Sequence, residues 1–423
     1  MPLRVLPAQH SVTKPPPSSE TLWCWPGARR VAPLLALVLL SLPAVAATRV
    51  TVQELEQALT ASKGSPDKDA AQRLIGLELT ERLSKSRFDR LKAELPGEKA
   101  QLAMLALADA SAFFDLPAAD ALHIPAPDKA AQGQILSKAA DFVIATQNKM
   151  PDFLATRITT RFTDLKVSHV YAEPLIVADQ GFQFTDRLSA TVRYRDGREV
   201  VEAAADKKAG NRVAYQTGLS NWGVFGPLLA NVMADILKGK LGWGHWEQGS
   251  AGHVAVFRYA VPEEKSTYNV KYCCFLGDDQ VMHDFKVVPA YHGEIAIDPD
   301  NGAVFRLVVK CDLEPGLQVS RAEVVVEYSQ VEIGGKTFIC PTKSISVTTA
   351  TNVVSRGVVY MDGKTFYDDI VGKPKVTAIN DDVFDNYHQF RGEMRILPEA
   401  SAEPDANPSA PITPPTPKSP PTQ

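Results

Sequence analysis

A change in the repeat of apolar residues near residue 154 constrains the fold more than any other feature. From there onward apolar and polar residues alternate along one segment after another. Successive side chains of a strand point to opposite faces of a sheet, so the alternation predicts antiparallel strands with one buried face. The segments are 159–164, 191–195, 254–259, 268–272, 294–297, 304–310, 322–331 and 336–347.

Two glycines define one hairpin within this region. The tetrapeptide Ile333-Gly334-Gly335-Lys336 places glycine at both central positions of a two-residue turn, where positive φ is needed. Counting back from the turn pairs Val331 with Phe338 and Ser329 with Cys340.

One helix is predicted to interrupt the strands, over residues 225–238. Pro227 suits its first turn and Gly239 its end. Its apolar stripe is expected to pack on the sheet, and the alternative is a movable lid over a cavity. The stripe consists of Phe225, Leu228, Leu229, Val232, Met233, Ile236 and Leu237.

Residues 48–153 form a predicted α-helical region that is rich in good helix formers. A second helix is expected to open at Asp67 or Asp69, a third to cover 98–114, and a fourth to cover 129–148. Residues at near-helical spacing are Leu55, Leu59, Leu74, Leu77, Leu79, Leu83, Phe88 and Leu91.

Both ends of the chain are predicted to lie outside the folded part. Residues 1–47 have the basic flank, apolar core and small final residues of a secretory signal peptide, with a membrane anchor as the alternative. Its removal leaves 41 basic and 48 acidic residues, a net charge of −7 that disfavours nucleic acid as a partner. The proline-rich segment 398–423 is predicted to be disordered. We therefore expect an exported protein, periplasmic or extracellular, that is soluble after signal cleavage.

Four cysteines follow the signal segment, and an exported protein permits disulfides. Cys273 and Cys274 are adjacent and point to opposite faces of a strand, so they are not expected to share a partner. The leading hypothesis pairs Cys273 or Cys274 with Cys340, and the alternative is buried free thiols. Zinc-binding Cys-x-x-Cys spacing is absent from the sequence.

The sequence gives little indication of catalysis, and we expect a protein that is not an enzyme, with no cofactor and no metal. Histidines such as His245 and His292 lie in no metal-binding or hydrolase motif, so a hydrolase is the weakest alternative. The pairs Asp298/Asp300 and Asp381/Asp382 are expected at solvated surface turns. The segment 298–302, Asp-Pro-Asp-Asn-Gly, suits a hairpin turn better than a calcium loop, which needs a glutamate at its twelfth position.

The hairpin around this turn resembles the Asp-Pro-x-Thr-Gly-x-x-x-Arg hairpin of the LolA/RseB-like superfamily of exported lipoprotein carriers. Asp298, Pro299, Gly302 and Arg306 match it, and Asn301 replaces the threonine. The resemblance covers residues 155–397. It implies an α+β protein in which a curved, half-barrel-like antiparallel sheet packs with a helix. It also implies an apolar cavity for acyl chains, lined by Phe225, Leu229, Met233, Phe305, Leu307 and Val309.

The function expected from this resemblance is non-enzymatic binding of a lipid or a lipoprotein acyl group. The alternative is an envelope protein with a filled core that acts through protein–protein contacts. In that case the helical region or the proline-rich tail would dock the partner protein.

Overall fold

The structure is a computed structural model that describes residues 47–389, except for 62, 171–172, 204–217, 220–222, 250–251, 277–280, 352–353, 362–363 and 373–374. The predicted signal peptide, apart from Ala47, and the predicted tail 398–423 lie outside the described residues. Helices and a large antiparallel sheet are both present, which confirms the α+β class. No helix among the described residues is long and apolar enough to cross a membrane.

The N-terminal part of the described chain is mostly helical. Its helices are α1 (Val52–Ala61), α2 (Asp67–Ile75), α3 (Lys85–Ala93), α4 (Glu98–Ser111) and α5 (Lys129–Lys149). Asp67 opens α2 as predicted, and its carboxylate also accepts hydrogen bonds from the backbone N–H groups of Lys99 (3.2 Å) and Ala100 (2.8 Å). One acidic side chain thereby caps the first turn of α4 and ties it to α2.

A short parallel pair of strands, β1 (Thr48–Val50) and β2 (Leu77–Leu79), lies within this helical part. The sequence analysis assigned Leu77 and Leu79 to helical spacing, and that assignment is wrong. α2 ends at Ile75, and Gly76 separates it from the strand. Three residues are too few to distinguish period two from helical spacing, so only the pairing with β1 identifies the strand.

Ten antiparallel strands form one open sheet in the order β5-β4-β3-β17-β14-β13-β12-β11-β8-β7. These strands are β3 (Phe153–Val170), β4 (Glu173–Arg195), β5 (Arg198–Ala203), β7 (Lys240–Gln248), β8 (His253–Val261), β11 (Ala290–Ile297), β12 (Val304–Asp312), β13 (Val319–Ile333), β14 (Lys336–Thr351) and β17 (Lys375–Gln389).

Two smaller antiparallel sheets accompany the large one. One has the order β10-β9-β6, and the other pairs β15 with β16. Their strands are β6 (Gly218–Leu219), β9 (Val270–Leu276), β10 (Met282–Val287), β15 (Val354–Met361) and β16 (Lys364–Gly372).

The predicted Gly-Gly hairpin joins β13 to β14 with the expected register. Val331 pairs with Phe338 and Ser329 with Cys340, and the two glycines have φ of 60° and 79°. The sequence prediction is confirmed here because the turn is local and its chemistry fixes the register.

Both faces of the large sheet are covered. On one side, which we call the α6 face, α5 and the helix α6 (Pro227–Ile236) bury a broad apolar cluster. On the opposite side, the α4 face, Ala106 of α4 and the following Phe113 pack against Phe162, Val308 and Val325. The sequence analysis predicted only one buried face, and the central strands are instead buried on both.

The turn at 298–302 joins β11 to β12, as predicted. The Asp298 carboxylate accepts hydrogen bonds from the Asp300 N–H (2.8 Å) and from the Asn301 side-chain amide (2.9 Å). Helix α5 contacts the turn, because Lys138 Nζ donates to the carbonyl oxygens of Pro299 and Asp300, each at 3.0 Å. The turn therefore attaches α5 to the sheet. The carbonyl groups of Pro299 and Asp300 bind Lys138, and the Asp298 carboxylate binds within the turn.

We predict that Gly302→Ala destabilises the fold more than Gly335→Ala. The two glycines have nearly equal φ, 78° and 79°, so both substitutions incur a left-handed strain of about 1–2 kcal/mol. Only at Gly302 would the new Cβ lie 2.4 Å from the Lys138 carbonyl group, whereas Gly335 faces open space. Urea unfolding followed by circular dichroism measures the difference, and equal losses would contradict close packing of α5 on the turn.

Candidate functional site

Helix α6 is held on the sheet by one buried acidic residue, Asp235. Its Oδ2 accepts hydrogen bonds from Thr267 N–H (2.7 Å), from the Thr267 hydroxyl (2.9 Å) and from the Tyr291 hydroxyl (3.1 Å). Lys238 Nζ lies 3.6 Å from Oδ1. The sequence analysis missed this residue. The sequence feature that could have identified it is an acidic residue beside Ile236, on the side of α6 that otherwise carries only apolar residues.

Five of the six residues predicted to line a cavity lie together on the α6 face. Phe225, Leu229, Met233, Leu307 and Val309 belong to one cluster of buried residues. That cluster extends beyond α6 to nine of the ten strands of the sheet, all except β5, counting the half-buried side chains of β7. The structure thus brings together the helix and strand residues that the sequence analysis grouped.

Phe305 is the exception, and its predicted position on the α6 face is wrong. Ile297 pairs with Val304, but the preceding residue, Ala296, pairs with Arg306. Phe305 is therefore the extra residue of a β-bulge, which breaks the alternation of faces. Its side chain instead packs with Val254, Val256 and Ala296.

An aromatic cluster surrounds the residue that precedes α6. The ring of Phe225 lies 5.4 Å from that of Phe153, 5.1 Å from that of Phe384 and 6.2 Å from that of Tyr387, between ring centroids. Tyr194 stacks on Phe153 at 5.1 Å. These aromatic side chains come from three neighbouring strands and from the segment before α6, and they define the β3 side of the α6 face.

Two clefts among the described residues lie elsewhere. One, of about 330 Å³, is on the helical part between Leu59 and Leu91. The other, of about 190 Å³, lies between Phe113 and the strand residues Arg258 and Lys310. Neither cleft is lined by the residues predicted to form an acyl cavity, five of which belong to one buried cluster.

A group of buried polar side chains adjoins the aromatic cluster. We call Arg157, Glu199, Tyr328 and Asp382 the polar cluster. All four are at least nine-tenths buried. Arg157 Nε lies 3.9 Å from Asp382 Oδ1, and the backbone N–H of Gly223 donates to Glu199 Oε2 at 3.0 Å. Tyr328 belongs to the apolar cluster as well, so the two clusters meet on the same face.

Several atoms of the polar cluster have no hydrogen-bond partner among the described residues. They are Arg157 Nε, Glu199 Oε1 and the Tyr328 hydroxyl. Burial raises the pKa of Glu199 to about 7, while the charge of Arg157 opposes the shift. Burial also raises the pKa of Asp382 and of Tyr328, the latter with a contribution from Glu199. Buried polar groups of this kind usually bind water, an ion or a ligand.

The prediction that Asp381 and Asp382 lie at a solvated turn is wrong. Both belong to β17 and are 2% and 4% exposed. Asp382 accepts a hydrogen bond from Thr159 on the α6 face. Asp381 points to the α4 face, 3.4 Å from Lys343 Nζ. Because both faces of β17 are covered, two consecutive acids are buried on opposite sides.

Lys343 also binds Asp109 of α4, at 2.7 Å between Nζ and Oδ1. We call Lys343, Asp109 and Asp381 the lysine cluster. It combines two carboxylates with one cation and lies near Glu327. Burial, followed by the charge of Asp381, raises the pKa of Asp109 to about 8. This cluster attaches α4 to the sheet, and we assign it a structural role.

The two histidines considered for catalysis lie apart from the polar cluster. His292 Nδ1 is 2.9 Å from Asp312 Oδ1, and both side chains are about half exposed. His245 Nε2 is 3.6 Å from Glu247 Oε2. Glu247 is also bound by Arg82 (2.7 Å) and Arg306 (2.8 Å), so it belongs to an ion-pair network on the α4 face.

The predicted disulfide to Cys340 is wrong. Cys340 is a buried free thiol whose Sγ lies 4.0 Å from Met150 Sδ, and Cys311 is free as well. Cys273 is disulfide-bonded. Burial raises the pKa of both free thiols to about 12, so neither is an activated nucleophile. Cys340 serves instead as a small apolar residue of the core on the α6 face.

Among the described residues no group of three or more His, Cys, Asp or Glu side chains is arranged to hold a metal ion. The candidate site is therefore the α6 face itself, where an apolar cluster meets the polar cluster. Comparison with known proteins adds no assignment, since no family model, curated protein or solved structure matches this chain.

We predict that Asp109→Asn flattens the pH dependence of stability. The folded-state pKa of Asp109 is raised above its unfolded value, so its contribution to stability is full below about pH 4 and is lost as pH rises through about 8. The variant lacks this titration and should lose less stability than the wild type between pH 6 and 9. Urea unfolding at several pH values measures this, with Asp300→Asn on the exposed turn as the control. Parallel pH profiles of Asp109→Asn and the wild type would contradict the assignment.

Proposed function

We propose that this protein is an exported, non-enzymatic binding protein that holds a lipid or a lipoprotein acyl group on the α6 face of its sheet. The observation that supports this most is the extent of the apolar cluster, which reaches from the aromatic side chains of β3 and β4 to β8 beneath α5 and α6. In this proposal, movement of α6 would open part of this surface to an acyl chain.

We further propose that the sheet curves around this face as a half-barrel. Glu199 lies on the edge strand β5, and four strands separate it from β13 in the sheet order. The charge of Glu199 nevertheless contributes to the raised pKa of Tyr328 on β13. Interaction over that separation supports a strongly curved sheet, and long twisted sheets tend to curl.

In this proposal α6 acts as a lid. An acyl chain would take the place of Leu229 and Met233 against Leu307 and Val309. Each CH₂ group removed from water contributes roughly 0.8 kcal/mol, which offsets the contacts that α6 gives up. Asp235 stays bonded to Thr267 and Tyr291, so the C-terminal end of α6 would remain fixed and serve as the hinge of the lid.

A second function is favoured by a different observation. Val200 and Val383 are 49% and 39% exposed, and their strand pairing directs both to the α4 face. Val200 lies on the edge strand β5, and exposed apolar side chains mark a protein-binding surface when they belong to a contiguous patch. This supports the alternative of an envelope interaction protein. Chemical cross-linking of wild type and Val200→Lys in envelope extracts tests it, and identical cross-linked species would argue against this surface.

For the carrier function we predict that Met233→Trp lowers the amount of co-purifying lipid. Met233 is 5% exposed on the buried side of α6, so the larger indole would fill the space that an acyl chain needs. Leu237→Trp is the matched control, because Leu237 follows the same helix and is 69% exposed. Native mass spectrometry and solvent extraction of the exported protein measure the bound lipid.

We expect lipid in the wild type and in Leu237→Trp, and at least a fivefold reduction in Met233→Trp. Circular dichroism must show that Met233→Trp retains its fold, and Leu229→Phe provides a smaller substitution if it does not. Absence of lipid from the wild type, or equal lipid in all variants, would overturn the proposal.

A further inference from the structure

The polar cluster has more hydrogen-bonding capacity than its own contacts use. Arg157 and Asp382 approach only to 3.9 Å, which is an ion pair without a hydrogen bond. Glu199 uses Oε2 to accept from Gly223, while its Oε1 is unpartnered among the described residues. A buried donor or acceptor without a partner destabilises the folded state. A ligand group with hydrogen-bond donors and acceptors would supply the missing partners.

The charges of the cluster are close to balance. Arg157 carries one positive charge, which Asp382 compensates. Glu199 has a pKa of about 7, so near neutral pH it is protonated in a large fraction of molecules. An anionic group brought into this site would meet two carboxyl groups with one cation, and a buried charge without a counterion is strongly unfavourable.

The unpartnered atoms include both donors and acceptors. Arg157 Nε–H is a donor, Glu199 Oε1 accepts when ionised and can donate when protonated, and the Tyr328 hydroxyl does either. An ester or a hydroxyl group matches this set because it forms hydrogen bonds without bringing a charge.

The position of the cluster is suited to the polar end of an amphipathic ligand. Tyr328 contributes to the apolar cluster, and Gly223, which binds Glu199, lies two residues before Phe225 at the start of the α6 segment. A ligand with its chain beneath α6 would therefore place its polar end near these groups.

We infer that the polar cluster binds the uncharged, hydrogen-bonding end of an acyl ligand, of the glycerol ester or hydroxyl class. The inference rests on the proposed function, since it assumes that the chain of the ligand lies on the α6 face. The polar cluster would then prefer uncharged acyl ligands to fatty acid anions and to alkyl amines of the same length.

Three ten-carbon ligands separate these possibilities: monodecanoylglycerol, decanoate and decylamine. Each is titrated into the delipidated protein at neutral pH by isothermal calorimetry. We expect monodecanoylglycerol to bind at least tenfold more tightly than either charged ligand.

Tyr328→Phe is the most informative variant. It removes an unpartnered hydroxyl without opening a cavity, so the free protein should keep or gain stability. The same change should weaken monodecanoylglycerol binding about five- to tenfold and leave the weaker binding of decanoate unchanged. Tyr259→Phe is the control, because its hydroxyl donates to the Val308 carbonyl at 2.6 Å and its loss should reduce stability but not affinity.

Glu199→Gln tests the charge argument. It removes one of the two carboxyl groups that an anionic ligand would meet, so decanoate should bind Glu199→Gln at least about threefold more tightly than it binds the wild type. An unchanged decanoate affinity would contradict the charge argument. If decylamine instead binds the wild type most tightly and Glu199→Gln abolishes that binding, the cluster is a cation site and the inference is wrong.

The remaining outcomes separate the two proposals. Equal binding of all three ligands, or no effect of Tyr328→Phe, would overturn the inference about the polar cluster and leave the carrier function standing. Binding of none of the three would overturn both.

Discussion

Burial of the central strands on both faces is the constraint on which the rest of the structure depends. Val308 and Val309 are consecutive and buried, and so are Val324, Val325 and Val326 on the neighbouring strand. Consecutive side chains of a strand face opposite sides, so neither side of this sheet can be left in water. Helices α5 and α6 cover one side, and α4 with the following Phe113 covers the other. Helices α4 and α5 are thus part of the sheet's core, whereas α1, α2 and α3 pack with α4 in a separate apolar cluster.

Turns that depend only on residues adjacent in the sequence were predicted correctly. The Gly-Gly turn fixed the register of β13 and β14, and the Asp-Pro-Asp-Asn-Gly segment forms the expected turn, because the determining residues lie next to one another. Phe305 was misplaced by the resemblance, which implied the same face for Phe305, Leu307 and Val309. A single extra residue in β12 moves its side chain to the other face, and alternation alone does not reveal a bulge.

Predictions about burial failed where they depended on distant parts of the chain. Asp381 and Asp382 resemble a surface pair in the sequence, yet one faces α4 and the other faces the polar cluster. Cys340 was expected in a disulfide and is a core residue instead. The polar cluster joins residues 157, 199, 328 and 382, and no sequence spacing indicates that they meet. Only the packing of four different strands brings them together.

The two faces of the sheet use buried charge in different ways. On the α4 face, Arg306 donates two hydrogen bonds to Glu247 at 2.8 Å each, and Arg82 adds a third at 2.7 Å. Burial alone would raise the pKa of Glu247, but its interactions with His245 and Arg82 bring that pKa below the usual value.

Close ion pairs of this kind fix a helix or a loop on a sheet and leave the carboxylate charged. On the α6 face, Arg157 makes no such bond to Asp382, and the pKa of Glu199 is raised instead of lowered. Both carboxylate oxygens of Glu247 accept hydrogen bonds from Arg306, whereas Oε1 of Glu199 has no partner among the described residues. The position of this open oxygen, next to the apolar surface of the α6 face, supports the proposed binding role.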